Sequence, residues 1–228
     1  MNGGVTMTAD RLGRLHVLVD SMVLAEAALE GGAPTLQVRI KEGTDRRRFE
    51  IVAAVAERCR DAGATCLVND RADFAVAAGA DGVHVGADDL PVAAVRQVVG
   101  PDVIVGGTAR DPITALRLVE AGASYVGVGP IYASGSKQGL PQPLGPDGVR
   151  AVAEAVRVPI IAIAGITPAR VAEVMAAGAW GVAVIGAVAT AEDPHRATHE
   201  LVTAVAAIAA SRGVFRPGPA VAAAEEPR

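Results

Sequence analysis

The tripeptide Ala-Gly-Ala stands at 62–64, 78–80, 121–123 and 177–179, each time after an Ala-rich stretch of helical period and before a β-rich run. Glycine ends a helix at little cost, because without a Cβ it enters the left-handed conformation freely. The repeats therefore mark helix-to-strand junctions, and reading outward from them organises the chain. Strands are predicted at 15–19, 35–39, 65–68, 82–85, 103–105, 125–128, 159–163 and 181–185, with amphipathic segments between successive pairs. The strand runs are almost continuously apolar, as in a parallel sheet covered on both faces. Eight such units close on themselves, so the expected fold is α/β, a single (β/α)8 TIM barrel, with an open doubly wound sheet as the weaker alternative.

A length of 228 residues suits one barrel domain. Hydrophobic residues reach 51% but aromatics only 3%, so Ala and Val carry the apolar content and let helices pack tightly on strands. The longest apolar runs, 179–191 and 202–210, are too short to span a bilayer as a helix of about 20 residues. No basic segment leads into an apolar one at the N-terminus. Residues 1–11 are read as a flexible leader, 12–211 as the barrel, and the Pro-, Gly-, Ala- and Glu-rich stretch 212–228 as a disordered tail. A net charge of −4 without a long cationic cluster argues against nucleic acid as the main partner. Arg46-Arg47-Arg48, following Gly43-Thr44-Asp45, reads as an exposed helix start. Cys59 and Cys66 fit no metal or redox motif and are expected as reduced thiols in a cytoplasmic protein. The sequence leaves self-association into a homo-oligomer open.

In barrels of this type reacting groups collect where strands end, and these positions are unusually polar here. Gln37, Arg39 and Lys41 alternate at the end of the second strand and so share a face; Asn69 and Asp70 follow the third, Asp89 the fourth and Thr108 the fifth. Ser134, Ser136 and Lys137 lie beyond the sixth. Two carboxylates can hold a hard cation such as Mg2+, and fixed cationic side chains can neutralise the phosphate oxygens it leaves uncovered. Asp70 and Asp89 equally suit helix N-caps, so the pairing with Gln37, Arg39 and Lys41 is what points to a metal-held diphosphate. Asp111-Pro112 and Thr167-Pro168 each place a capping residue before a helix-starting proline. His84, inside a strand run, reads as buried and hydrogen-bonded, and His16, His195 and His199 lack zinc-binding spacing. The stretch from Gly129 to Lys137 has the wrong order for a nucleotide-binding loop and reads, with the following residues to Gly145, as a hydroxyl-rich lid. Gly165 and Ile185-Gly186 follow the seventh and eighth strands, where barrels often hold a phosphate.

Taken in order, Gln37-Val38-Arg39-Ile40-Lys41, Asn69-Asp70-Arg71-Ala72-Asp73, Gly82-Val83-His84-Val85-Gly86 with Asp88-Asp89-Leu90-Pro91, Tyr125-Val126-Gly127-Val128-Gly129-Pro130-Ile131 and Ala162-Ile163-Ala164-Gly165-Ile166 resemble the thiamine phosphate synthase family over 14–195. The resemblance implies a transferase that joins a hydroxymethylpyrimidine diphosphate to a thiazole phosphate, releasing diphosphate. It implies Mg2+ on Asp70 and Asp89, and contacts to the pyrimidine diphosphate from Gln37, Arg39, Lys41, Asn69 and Lys137. Thr108, Ser134 and Ser136 would lie beside that substrate, with Arg39, Lys41, Thr108 and Lys137 as the catalytic set. Gly165, Ile185 and Gly186 would hold the thiazole phosphate. The chain departs from the family at Ala87, usually Gln; at Thr108, usually Ser; at Ser134 and Ser136, usually Thr; at Ala164, usually Gly; and at Gly186, usually Ser. Arg110 stands where a His is common. A sibling thiazole tautomerase shares the barrel but needs no metal, and the retained Asp70, Asp89 and Lys137 disfavour it, as does Arg110 at a position where it uses His. A non-catalytic barrel that binds a thiamine precursor would be marked by lost metal ligands.

Overall fold

The computed structural model describes residues 11–135, 139 and 141–212. Its strands are β1 (Leu15–Val19), β2 (Thr35–Val38), β3 (Thr65–Asn69), β4 (Gly82–Val85), β5 (Ile104–Ala109), β6 (Tyr125–Val128), β7 (Ile160–Ile163) and β8 (Gly181–Val184). They pair in parallel in the order of the sequence, and β8 returns to β1, giving the expected closed barrel. The helices are α1 (Met22–Glu30), α2 (Asp45–Ala62), α3 (Ala72–Ala78), α4 (Val92–Val99), α5 (Pro112–Glu120), α6 (Gly145–Ala155), α7 (Pro168–Ala176), α8 (Gly186–Ala189) and α9 (Pro194–Arg212). Among the described residues no helix is long and apolar enough to cross a membrane.

The apolar strand runs resolve into two faces with different chemistry. Outward positions such as Val17, Leu36, Val68, Val83, Val126 and Val182 are buried against the helices in one continuous core. Each such side chain contributes roughly 1.5–3 kcal/mol by leaving water. Inward positions are set by the register, in which Leu18 pairs with Gln37, Asn69 with His84, His84 with Gly106 and Thr108 with Gly127. That interior holds a small apolar cluster including Leu18, Leu67, Ile104, Tyr125 and Ile161, together with buried His16, Thr35 and Gln37. The polar content of the strands thus points into the barrel.

The punctuation operates largely as read. Gly63 and Gly79 close α2 and α3 in the left-handed region, at φ 68° and 62°. Gly122 and Gly178 take positive φ one residue beyond their helix C-caps, Ala121 and Ala177. The Asp111 carboxylate accepts the Thr114 N–H at 2.9 Å ahead of Pro112. Thr167 occupies the N-cap of α7 but its hydroxyl makes no capping bond, so there Pro168 carries the start alone. Thr44 caps α2, and the arginines after it lie on a helix start where Arg48 pairs with Asp45 and Arg47 with Glu50. Cys59 and Cys66 are buried free thiols.

Arg11, the last residue of the expected leader, is anchored: it pairs with Asp81 at 3.0 Å and its carbonyl accepts the Thr65 hydroxyl. The rest of that leader lies outside the described residues. So does the expected tail apart from Arg212, which belongs to α9.

Candidate active site

A cavity of about 910 Å3 opens where the strands end. Gln37, Arg39, Lys41, Asn69, Asp70, Asp89, Thr108, Ser134, Gly165, Ile185 and Gly186 all line it. Ser136 and Lys137 lie outside the described residues.

The sector above β2, β3 and β4 carries the charge. Gln37, 4% exposed, donates from Nε2 to Asn69 Oδ1 at 2.8 Å, which fixes both amides on adjacent strands. β2 ends at Val38, yet the Arg39 N–H still donates to Val19 at 2.7 Å, carrying the alternation onward to Lys41. Lys41 Nζ lies 2.5 Å from Asp70 Oδ2. Asp70 holds a left-handed backbone, φ 66°, pinned by its N–H donating to His84 at 2.8 Å. It is no helix cap, since Arg71 occupies that position for α3. Asp89 does not cap either: α4 starts behind Pro91, and Asp89 Oδ2 accepts the Gly86 N–H at 2.8 Å within a turn.

The two carboxylates face each other closely enough to shift one another in opposite directions. Burial raises the Asp70 carboxyl above its ordinary range, the neighbouring Asp89 adds to this, and Lys41 opposes it. Asp89 is held low despite its burial, through contact with Asp70, the Gly86 N–H and the nearby Lys41. Like charges this close favour a bound cation. Among the described residues no group of three His, Cys, Asp or Glu side chains gathers as a metal cage. A pair of carboxylates leaves most of the coordination shell to water or phosphate oxygens, which suits Mg2+.

The floor is neutral. His84 Nδ1 lies 2.9 Å from the Tyr125 hydroxyl and Nε2 2.9 Å from the Thr108 hydroxyl, and its ring stacks on Tyr125. The hydrogen bonding read from its place in a strand is present, and burial lowers its pKa to about 4, so the imidazole is uncharged at pH 7. His16 lies edge-on to Tyr125, with its Nε2 3.1 Å from the Gly13 carbonyl.

On the far side, above β7 and β8, Gly165 turns at φ 67° so tightly against the next loop that a Cβ there would meet Tyr132 Cβ at 2.7 Å and Ala133 O at 2.8 Å. Ile185 and Gly186 form the junction of β8 with α8. Between the sectors, Arg110 donates to the Gln142 carbonyl at 2.9 Å and reaches Gly129 O at 3.5 Å.

Tyr125, Arg110 and Arg170 also line the cavity and were missed as site residues in the sequence. The Tyr125-Val126-Gly127-Val128 alternation carried the signal for Tyr125, which shares the inward face with Gly127. Arg170 is a helical residue with no distinctive spacing.

The sequence profile of the family described as thiamine monophosphate synthase matches residues 15–188. The thiamine-phosphate synthase of Salinispora arenicola is 50% identical over 85% of this chain and 98% of its own length. That of Salinispora tropica is 48% identical with the same coverage. Among solved structures, thiamine phosphate pyrophosphorylase from Pyrococcus furiosus superposes with a TM-score of 0.81 at 33% identity, covering 89% of this chain and 98% of that one. A match across the whole barrel, at this identity, goes beyond a shared fold: the chain belongs to the thiamine monophosphate synthase family.

Proposed function

We propose that the barrel joins 4-amino-2-methyl-5-hydroxymethylpyrimidine diphosphate to 4-methyl-5-(2-phosphooxyethyl)thiazole, giving thiamine phosphate and diphosphate. The observation that carries this is the convergence on one cavity of Arg39 and of an Asp70–Asp89 pair beside Lys41, with a glycine-lined pocket across the mouth. The first sector suits a diphosphate and the second a phosphomonoester, leaving the floor for two rings. Gln37 and Asn69, locked together, offer amide groups to the pyrimidine diphosphate. Thr108 and Ser134 border the same substrate, and Ser136 and Lys137 keep the roles that the family resemblance gives them. Gly165, Ile185 and Gly186 border the thiazole phosphate.

Asp70 and Asp89 would hold Mg2+, which when bound supplies positive charge to the diphosphate. Arg39 and Lys41 add fixed charge where negative charge accumulates as the methylene carbon–oxygen bond breaks. The amino group of the pyrimidine donates electrons to the methylene cation left behind. The thiazole nitrogen then forms the new carbon–nitrogen bond with its lone pair and becomes cationic. No proton is removed from the nucleophile, so a neutral His84 bound to two hydroxyls is consistent with the chemistry. A floor of Tyr125, Ile161 and Leu18 keeps water from the cation. Buried reduced thiols accord with a cytoplasmic setting.

Incubation of the purified protein with both substrates and Mg2+ tests the reading: thiamine phosphate and diphosphate should form together, and chelation of Mg2+ should stop them. No coupled product at saturating thiazole phosphate refutes it. Asp89→Ala should lose about 100-fold or more in kcat/KM while its circular dichroism is unchanged, because the residue serves a turn beyond β4 rather than a strand.

A further inference from the structure

We propose that Arg170 is the cationic anchor of the second phosphate and sets the preference for a phosphorylated over an unphosphorylated thiazole. This rests on the synthase reading and names a residue for the half of the site where a hydroxyl is missing at Gly186. Arg170 lies in the first turn of α7, behind β7, touches Gly165, and lines the same cavity as Gly186. In the closed strand order β7 stands opposite β3, so Arg170 faces the Asp70 sector across the mouth.

The guanidinium is held in place. Nη1 donates to the Gly165 carbonyl at 2.7 Å, and its plane covers the Tyr132 ring, with Cζ 4.2 Å from the ring centroid. The Tyr132 hydroxyl is in turn fixed by donating to Glu173 at 2.6 Å. Among the described residues no carboxylate forms an ion pair with Arg170, whereas Lys41 is paired with Asp70 and Arg110 is engaged by backbone carbonyls. A planar fork already oriented by one carbonyl and one ring presents its remaining N–H groups to an anion at small entropic cost. The Gly165 turn that Arg170 grips borders the pocket itself, so charge and backbone approach the same phosphate.

Steady-state kinetics of Arg170→Gln should show the KM for the thiazole phosphate raised about 10- to 100-fold, the weight of one charge-assisted hydrogen bond. The KM for the pyrimidine diphosphate should stay within about twofold. Against the unphosphorylated thiazole alcohol, kcat/KM should match the wild type. Arg170→Lys should recover most of the preference. An unchanged KM for the thiazole phosphate, or an equal loss against the alcohol, overturns the assignment. Should Arg170→Gln not fold, loss of the phosphate preference is sought in Arg170→Met, and retention of the preference there overturns it as well. A wild-type protein that makes no thiamine phosphate refutes the synthase reading instead. Calorimetric binding of the thiazole phosphate then decides Arg170 by itself, with equal affinity in wild type and variant counting against it.

Discussion

Asp70 and Ala164 are the non-glycine residues with left-handed backbone among those described, at φ 66° and 78°. Aspartate tolerates this region, and the conformation turns the Asp70 carboxylate back toward Lys41 and Asp89 at the mouth of the cavity. Alanine has no compensating side-chain bond. It sits at the end of β7, where its carbonyl accepts the Tyr132 N–H at 3.1 Å and so fixes the loop that closes on Gly165. The family usually has glycine there. Ala164→Gly removes about 1–2 kcal/mol of left-handed strain and adds back up to about 1 kcal/mol of unfolded-chain entropy. A net gain of about 0.5–1 kcal/mol in urea unfolding is the expected result, and a loss would show that the strain is absorbed elsewhere.

At the scale of the strands, the inward face of β4 to β6 is a fitted stack. Gly106 stands beside Tyr125, and a Cβ on it would lie 2.1 Å from Tyr125 Cζ and 2.3 Å from Cε1. Gly127 is next to His84, with a Cβ there 3.0 Å from Cε1. These glycines make room for the ring pair that floors the cavity. Gly106→Ala should therefore cost about 1–3 kcal/mol by overpacking. Combined with Tyr125→Val, which removes the clashing ring, the penalty should shrink well below the sum of the single changes in a double-mutant cycle. Additive effects would mean that the ring is not what Gly106 accommodates. This relation was not legible in the chain, because a strand glycine and an aromatic nineteen residues away share no local pattern. The elements themselves were legible, since helix ends marked by Gly and apolar strand runs are local signals: the predicted β1, β4 and β6 bounds match those observed. The charged rim was also legible, because Gln37, Arg39 and Lys41 obey strand alternation. The identity of Asp70 as a rim carboxylate rather than a cap depended on its backbone φ, which sequence does not encode directly. Arg170 escaped notice for a related reason: its meaning comes from Gly165 and Tyr132, brought to it by the barrel.

Closure of the sheet places the charged sectors around a barrel whose interior also encloses ionisable groups kept neutral. His16 is fully buried, edge-on to Tyr125, and burial lowers its pKa to about 3; His84, stacked on the same ring, is lowered to about 4 for the same reason. The unfolded chain titrates both near 6.5. Below that pH the unfolded state takes up protons that the native barrel refuses, so acid favours unfolding. The stability these histidines permit is complete above pH 6.5 and is lost as the pH falls toward their folded values. Each contributes a slope approaching about 1.4 kcal/mol per pH unit, so the pair should lower the unfolding free energy by about 3–4 kcal/mol between pH 7 and pH 5. Ordinary carboxylates are still largely ionised in both states over that window and add little. Urea unfolding at pH 7, 6 and 5 measures the loss, and His16→Phe, which keeps a ring beside Tyr125 but cannot titrate, should show about half of it. A wild-type stability that is flat across this range would mean that both imidazoles accept protons inside the folded barrel, which the apolar packing around Leu18, Ile104 and Ile161 opposes.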